Sequence, residues 1–228
     1  MNASSSTSWP DAVLTGRYQG HLVELGGKLL AAPTTQAFAA LQRAAAKDGF
    51  ALAIASGFRD FGRQAAIFNG KWQGLRPVHN DVGRPLDLEQ MSEEQKLEAI
   101  LRFSALPGAS RHHWGTDLDV YCQEAQGEQP LALSPQEYGP GGPQHRLALW
   151  LAENAGSQGF FLPYDIDRDG VAVEPWHLSH IEAVPLLERL TEDKLAVALT
   201  GGQVAGLEAI LPRLGALLAR YVQRVGRP

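Results

Sequence analysis

Only one cysteine, Cys122, stands among the 228 residues. No intrachain disulfide can form and no cysteine-based zinc site is available, so any metal must be held by histidine and carboxylate. Positive charge is also short: 20 Lys and Arg against 25 Asp and Glu give a formal charge of −5. That balance argues against a nucleic-acid surface, which needs clustered Lys and Arg to meet phosphate. No segment approaches the roughly 20 apolar residues that span a bilayer. The start, "MNASSSTSWPD", has no basic stretch followed by an apolar run. There is no internal repeat and no low-complexity tract beyond the Ser-rich residues 1–8, which read as a disordered end. The remainder, 9–228, is long enough to bury a sizeable core as one domain with a helical C-terminal segment.

Periodicity and breakers divide the chain into alternating helices and strands. A helix is expected over 34–48, with Pro33 before it, Thr34 or Thr35 as cap and Gly49 at its end. "ALAIAS" at 51–56 reads as a buried strand ending in "SGFRD", a turn that presents Arg59 at the strand's edge. A helix through "RQAAIFNGKW" would turn Ala66, Phe68 and Trp72 inward, and residues 73–90 form a long polar loop of the functional or mobile kind. Ser92 and Gln95 stand in capping-box positions before a helix burying Leu97, Ile100 and Leu101. "SPQEYGPGGP" is a loop, "QHRLALWLAENAGSQG" a helix with Leu147, Trp150 and Leu151 inward, and "GFFLPY" a short strand. "VAVEPWHLS" at 171–179 alternates and should pair with a strand around Asp119. Residues 181–225 are helical, broken at Gly201-Gly202, with an apolar stripe from Leu207 to Val222 that reads as core packing.

The chemistry gathers in two short stretches. In "SRHHWGTDLDVY", 110–121, a hairpin-like turn at Trp114-Gly115 would lead into a strand with Asp117 and Asp119 on one face and Leu118 and Val120 on the other. In "EPWH", Glu174 and His177 would face opposite sides of an ideal strand, but Pro175 bends or ends it and lets both reach one metal. His112, Asp119, Glu174 and His177 together have the composition of a catalytic zinc site, in which three protein ligands leave a position for water and a neighbouring carboxylate acts as base. Taken singly, either stretch could equally be packing, with Trp176 and His177 in the core and Glu174 on the surface. His113 is expected to support or pack rather than ligate. Arg111 could pair with a substrate's C-terminal carboxylate. His21, His79 and His145 have no ligand spacing and read as surface residues. "DIDRDG" at 165–170 starts like a calcium loop, yet the twelfth position is Trp176, so it reads as a polar turn. By alternation Cys122 is a buried, inert thiol.

The pattern Ser110-x-His112-x-x-Gly115-x-x-x-Asp119, followed by Glu174-x-Trp176-His177, resembles the zinc D-alanyl-D-alanine carboxypeptidase family. That family includes vancomycin-resistance D,D-dipeptidases and carboxypeptidases, L,D-carboxypeptidases and phage endolysins of related fold, and its fold is shared with hedgehog signalling domains. Upstream, "SGFRDFGRQ" is similar to the family's Ser-Gly-Tyr-Arg segment with a following Gln. The motifs span a core of 51–180 and cover the C-terminal helices only loosely.

The resemblance implies an α+β fold in which a small antiparallel sheet bears one Zn2+ and is flanked by helices. It implies His112, Asp119 and His177 as zinc ligands, Glu174 as catalytic base and Arg59 as the group polarising the scissile carbonyl. Ser110 and Gln64 fall on positions that help hold substrate. The implied substrate is a peptidoglycan stem peptide or its precursor, and no obligate protein partner is evident. The implied site of action is extracytoplasmic, with the cytoplasm left open by the absent signal segment. A cell-wall endopeptidase and a non-catalytic, zinc-stabilised binding domain are the alternatives. Three positions depart from the family: Phe58 replaces a tyrosine, Asp117 replaces a small residue and could ligate or bind a substrate amine, and His180 replaces a tyrosine.

Overall fold

Residues 5–228 are described in the computed structural model. A hairpin of β1 (Leu22–Leu25) and β2 (Lys28–Ala31) leads into α1 (Ala32–Lys47), β3 (Leu52–Ser56), α2 (Phe61–Trp72) and α3 (Glu93–Leu101). Then come β4 (Asp117–Cys122), two single turns α4 (Gln123–Gln126) and α5 (Pro135–Tyr138), α6 (His145–Asn154), β5 (Phe160–Phe161) and β6 (His177–His180). Short C-terminal helices follow: α7 (Ala183–Arg189), α8 (Glu192–Thr200), α9 (Leu207–Ile210) and α10 (Leu214–Leu218).

The four longer-range strands form one sheet in the order β3-β4-β6-β5, antiparallel throughout. The expected α+β class is what the structure shows. β4 lies inside the sheet, so its period of two divides chemistry from packing. Leu118, Val120 and Cys122 enter a core with Phe38, Leu41, Leu147 and Leu151 from α1 and α6. Asp117 and Asp119 point the other way, toward a larger core built by α2, α3 and the C-terminal helices, with Phe68, Ile100, Leu195, Ile210 and Leu214 among its members. The site therefore sits where the sheet's polar face meets the helical half. Among the described residues no helix is long and apolar enough to cross a membrane.

Several local expectations change. α1 starts at Ala32 with Pro33 in its first turn, where a missing N–H costs nothing, and Ala31 rather than a threonine is the cap. α2 starts earlier, at Phe61, because the Asp60 carboxylate accepts the Arg63 N–H at 2.7 Å; Ala65 and not Ala66 faces the core. The Ser92/Gln95 capping box forms as expected, and Leu97, Ile100 and Leu101 are buried. Trp114-Gly115 is no hairpin: a 3-10 turn over Arg111–Trp114 ends at Gly115, and β4 pairs with β3 and β6 instead. Residues 171–176 are not strand. Residues 1–4 of the expected disordered end lie outside the described residues, while Ser6–Ser8 form a 3-10 turn held by Glu182, which accepts the Ser6 N–H at 2.7 Å. His21 is half-buried, packed between Trp9 and Tyr18, and donates to the Trp114 carbonyl at 2.9 Å. The 73–90 loop is pinned: Arg102 bridges Asp81 and Asp167 at 2.6 Å each.

Candidate metal centre and active site

Antiparallel register sets the centre. Asp119 on β4 lies opposite His177 on β6, and the turn preceding β4 swings His112 onto the same carboxylate. His112 Nε2 lies 3.3 Å from Asp119 Oδ2, and His177 Nδ1 lies 3.2 Å from Asp119 Oδ1. One donor atom from each of the three residues falls within 4.8 Å of the others, and all three residues are buried. Glu174 joins them through a tight turn, in which the His177 N–H donates to the Glu174 carbonyl at 3.1 Å across Pro175. This turn, rather than a bent strand, brings Glu174 Oε2 to 3.6 Å from His177 Nδ1.

The donor set fits a divalent metal because the other nitrogen of each imidazole is already committed. His112 donates Nδ1–H to the Gly57 carbonyl at 3.0 Å, leaving Nε2 free. His177 donates Nε2–H to Asp117 Oδ1 at 3.1 Å, leaving Nδ1 free. Such outer partners fix tautomer and ring direction in metal-binding histidines. Two imidazoles and a carboxylate suit zinc, and three protein ligands leave a coordination position open. Asp117 and His113 do not close it: Asp117 is spent on Arg111 Nε at 2.7 Å, Thr116 Oγ1 at 2.8 Å and His177. His113 uses both ring nitrogens, donating to the Arg59 carbonyl at 2.6 Å and accepting from the Gly108 N–H at 3.0 Å.

Electrostatics follow from burial. Desolvation raises Glu174 to about 7, against the lowering fields of His177, Arg59 and Lys71. Desolvation would also raise Asp119, but the charges and hydrogen bonds of His112 and His177 overcome it and hold the carboxyl far below its usual range. Burial disfavours the His177 imidazolium, yet its bonds to Asp117 and Asp119 win and lift it to about 9. Binding a metal at Nδ1 displaces that proton, so metal uptake is coupled to proton release.

Around these groups lies a cavity of about 550 Å³, lined by Arg59, Ser110, Arg111, His112, Asp119, Glu174 and His177, with Lys71 and Tyr164 beside them. Arg59 is fixed by Gln64 Oε1 at 2.8 Å and Ser56 Oγ at 3.3 Å, while its buried Nε has no hydrogen-bond partner among the described residues. Gln64, expected to touch substrate, is fully buried and off the cavity wall; it accepts from Arg59 and donates to the Ala105 carbonyl at 2.7 Å. Asp117, expected as ligand or amine binder, lies beneath the centre with no exposed surface. Ser110 and Arg111 do reach the wall, Arg111 with Nη1 unpartnered among the described residues. Other wall residues were not expected at the site from the sequence. Lys71 and Tyr164 sit outside both motifs, and Leu217, with Tyr221 and Val222, brings the C-terminal helical segment into the cavity.

The family model of VanY, D-alanyl-D-alanine carboxypeptidase, matches residues 27–183. The chain belongs to this family. Its motif residues and the cavity all but the C-terminal wall fall inside the match. The chain is also 50% identical to an uncharacterized protein of Haemophilus influenzae over 99 residues, 41% of this chain and 68% of that one. In fold it is similar to VanYB in complex with D-alanine-D-alanine, with a TM-score of 0.53 at 22% identity over 86% of this chain and 90% of that one. It is likewise similar to the LdcB LD-carboxypeptidase, with a TM-score of 0.52 at 23% identity over 79% of each chain. A peptidase of the VanY kind is thus the class to which this site belongs.

Proposed function

We propose that this protein is a zinc-dependent carboxypeptidase removing a terminal D-alanine from peptidoglycan stem peptides. The observation that carries the reading is Glu174: a half-buried cavity-wall carboxylate 3.6 Å from a ligand nitrogen, raised to about 7, and with no side-chain hydrogen bond among the described residues. A site serving only to stabilise a fold has no use for such a group.

His112 Nε2, Asp119 and His177 Nδ1 would hold the metal. Zinc there supplies Lewis acidity, polarising an amide carbonyl and acidifying water. Glu174 takes a proton from the attacking water as its oxygen joins the carbonyl carbon, then delivers it to the amine as the C–N bond breaks. Arg59 offers its guanidinium to the carbonyl oxygen as charge grows there, held in place beforehand by Gln64 and Ser56. Ser110 and Arg111 provide hydroxyl and guanidinium donors along the same wall for the peptide backbone.

The test is mass spectrometry of pentapeptide and tetrapeptide muropeptides after incubation with zinc-loaded protein and with Glu174→Ala. One stem should lose a single alanine with the wild type and none with the variant, and the stem that shortens assigns D,D or L,D specificity. No cleavage of either stem would overturn the reading.

A further inference from the structure

Lys71 is the cation that the reaction above leaves unused. It follows Gln64 by seven residues on α2, so both occupy one helix face, two turns or roughly 10 Å apart. Gln64 anchors Arg59, which addresses the scissile carbonyl, and Lys71 therefore stands farther along the same wall. Its ammonium donates to the Ser104 hydroxyl at 3.1 Å, a neutral partner, and it lines the cavity together with Glu174 and Arg59. The two arginines of the wall are accounted for: Arg111 is neutralised by buried Asp117, and Arg59 is fixed by Gln64 toward the reacting carbonyl. Burial lowers the Lys71 pKa, the Glu174 field partly restores it, and Arg59 and Arg76 lower it again. A desolvated ammonium facing a neutral hydroxyl gains most from an anion arriving with the substrate.

We propose that Lys71 is the counter-ion for the free C-terminal carboxylate of the substrate, so that the cavity selects the end of a peptide over its interior. The proposal rests on the hydrolytic reading above for the kind of ligand, and not on turnover. Stem peptides also carry carboxylates within the chain, and the experiment separates the two sources.

Binding of diacetyl-L-lysyl-D-alanyl-D-alanine and of its C-terminal amide is measured by calorimetry on zinc-loaded Glu174→Ala protein, alone and combined with Lys71→Met or Lys71→Arg. In the Glu174→Ala protein the acid should bind about ten- to hundredfold more tightly than the amide, the size of a hydrogen bond to a charged group. Lys71→Met should abolish that preference and leave amide binding unchanged, whereas Lys71→Arg should keep it. Lys71→Gln, which still bonds Ser104, repeats the comparison if Lys71→Met does not fold. A preference for the acid that survives loss of the charge overturns the proposal. So does its absence before the change, an equal loss for acid and amide, or no binding of either. Acid preference that depends on Lys71 without any muropeptide cleavage by the wild type would overturn the proposed function and leave this assignment standing.

Discussion

His177 and Asp117 share a hydrogen bond of 3.1 Å, ring Nε2–H to carboxylate Oδ1, that turns the opposite nitrogen of the ring toward Asp119. Asp117 is fixed in turn by Arg111, whose Nε reaches the same oxygen at 2.7 Å. A chain of charge thus runs from Arg111 through Asp117 and His177 to the metal site, entirely buried. Each member sets the direction of the next.

Asp117→Asn should therefore weaken metal binding without touching a ligand. The amide keeps the shape but removes the charge that orients and polarises His177, and outer-shell losses of this kind cost about 10- to 100-fold in affinity. Zinc competition against a chromophoric chelator reads this directly, and an unchanged dissociation constant would remove Asp117 from the metal's support. Asp117→Ala should also destabilise the fold by about 3–5 kcal/mol, because Arg111 would be left as an unpaired buried charge.

The contrast between Asp117 and Asp119 shows what was legible from sequence. Strand alternation put both carboxylates on one face, and the family resemblance singled out the three groups that converge on one point. Nothing local distinguishes the two roles. Asp119 meets His112 and His177, whereas Asp117 is claimed by Arg111, six residues upstream, once the 3-10 turn folds back. Lys71 drew no notice, and Gln64 was assigned to the substrate, for a related reason: Ser104 meets Lys71 only through tertiary packing, and the link from Arg59 to Gln64 depends on how the turn into α2 closes. The apparent strand over 171–176 failed because apolar alternation there packs against helices, and Pro175 converts the segment into the turn that aims Glu174. The serine-rich start reads as disorder by composition, yet two distant side chains hold Ser6: Glu182 accepts its N–H and Arg189 donates to its carbonyl.

His113 makes stability depend on pH. Desolvation lowers its pKa from 6.5 to about 4, and both ring nitrogens are engaged in the neutral form. The unfolded chain takes up the proton near pH 6.5 and the folded ring only near 4, so protons favour unfolding across that window. The stabilisation from neutral burial is complete above about pH 6.5, declines as pH falls toward 4 and is flat below. Its size is on the order of 3 kcal/mol, from the shift of the pKa. Urea unfolding of metal-free wild type and His113→Gln at pH 7, 5.5 and 4.5 checks this; parallel pH profiles for the two proteins would exclude His113 as the source.

Gly115 separates two demands that glycine can meet. Its φ is +69°, and a Cβ there would run into the Leu22 side chain and lie 2.9 Å from the Ala31 amide nitrogen. That amide donates to the Gly115 carbonyl at 2.8 Å, which ties β2 to the turn bearing His112. Gly115→Ala meets both the left-handed penalty, about 1–2 kcal/mol, and the collision. Gly115→Asn tolerates the left-handed backbone better but brings the same Cβ. Gly49 also has positive φ, +83°, with nothing within 4 Å of a Cβ, so Gly49→Asn tests backbone conformation alone. Both Gly115 variants should lose at least about 2 kcal/mol of stability and bind zinc more weakly, while Gly49→Asn should stay within about 0.5 kcal/mol of wild type. If Gly115→Asn instead matched wild type in urea and zinc titrations, close approach of β2 would not be what holds His112 over Asp119.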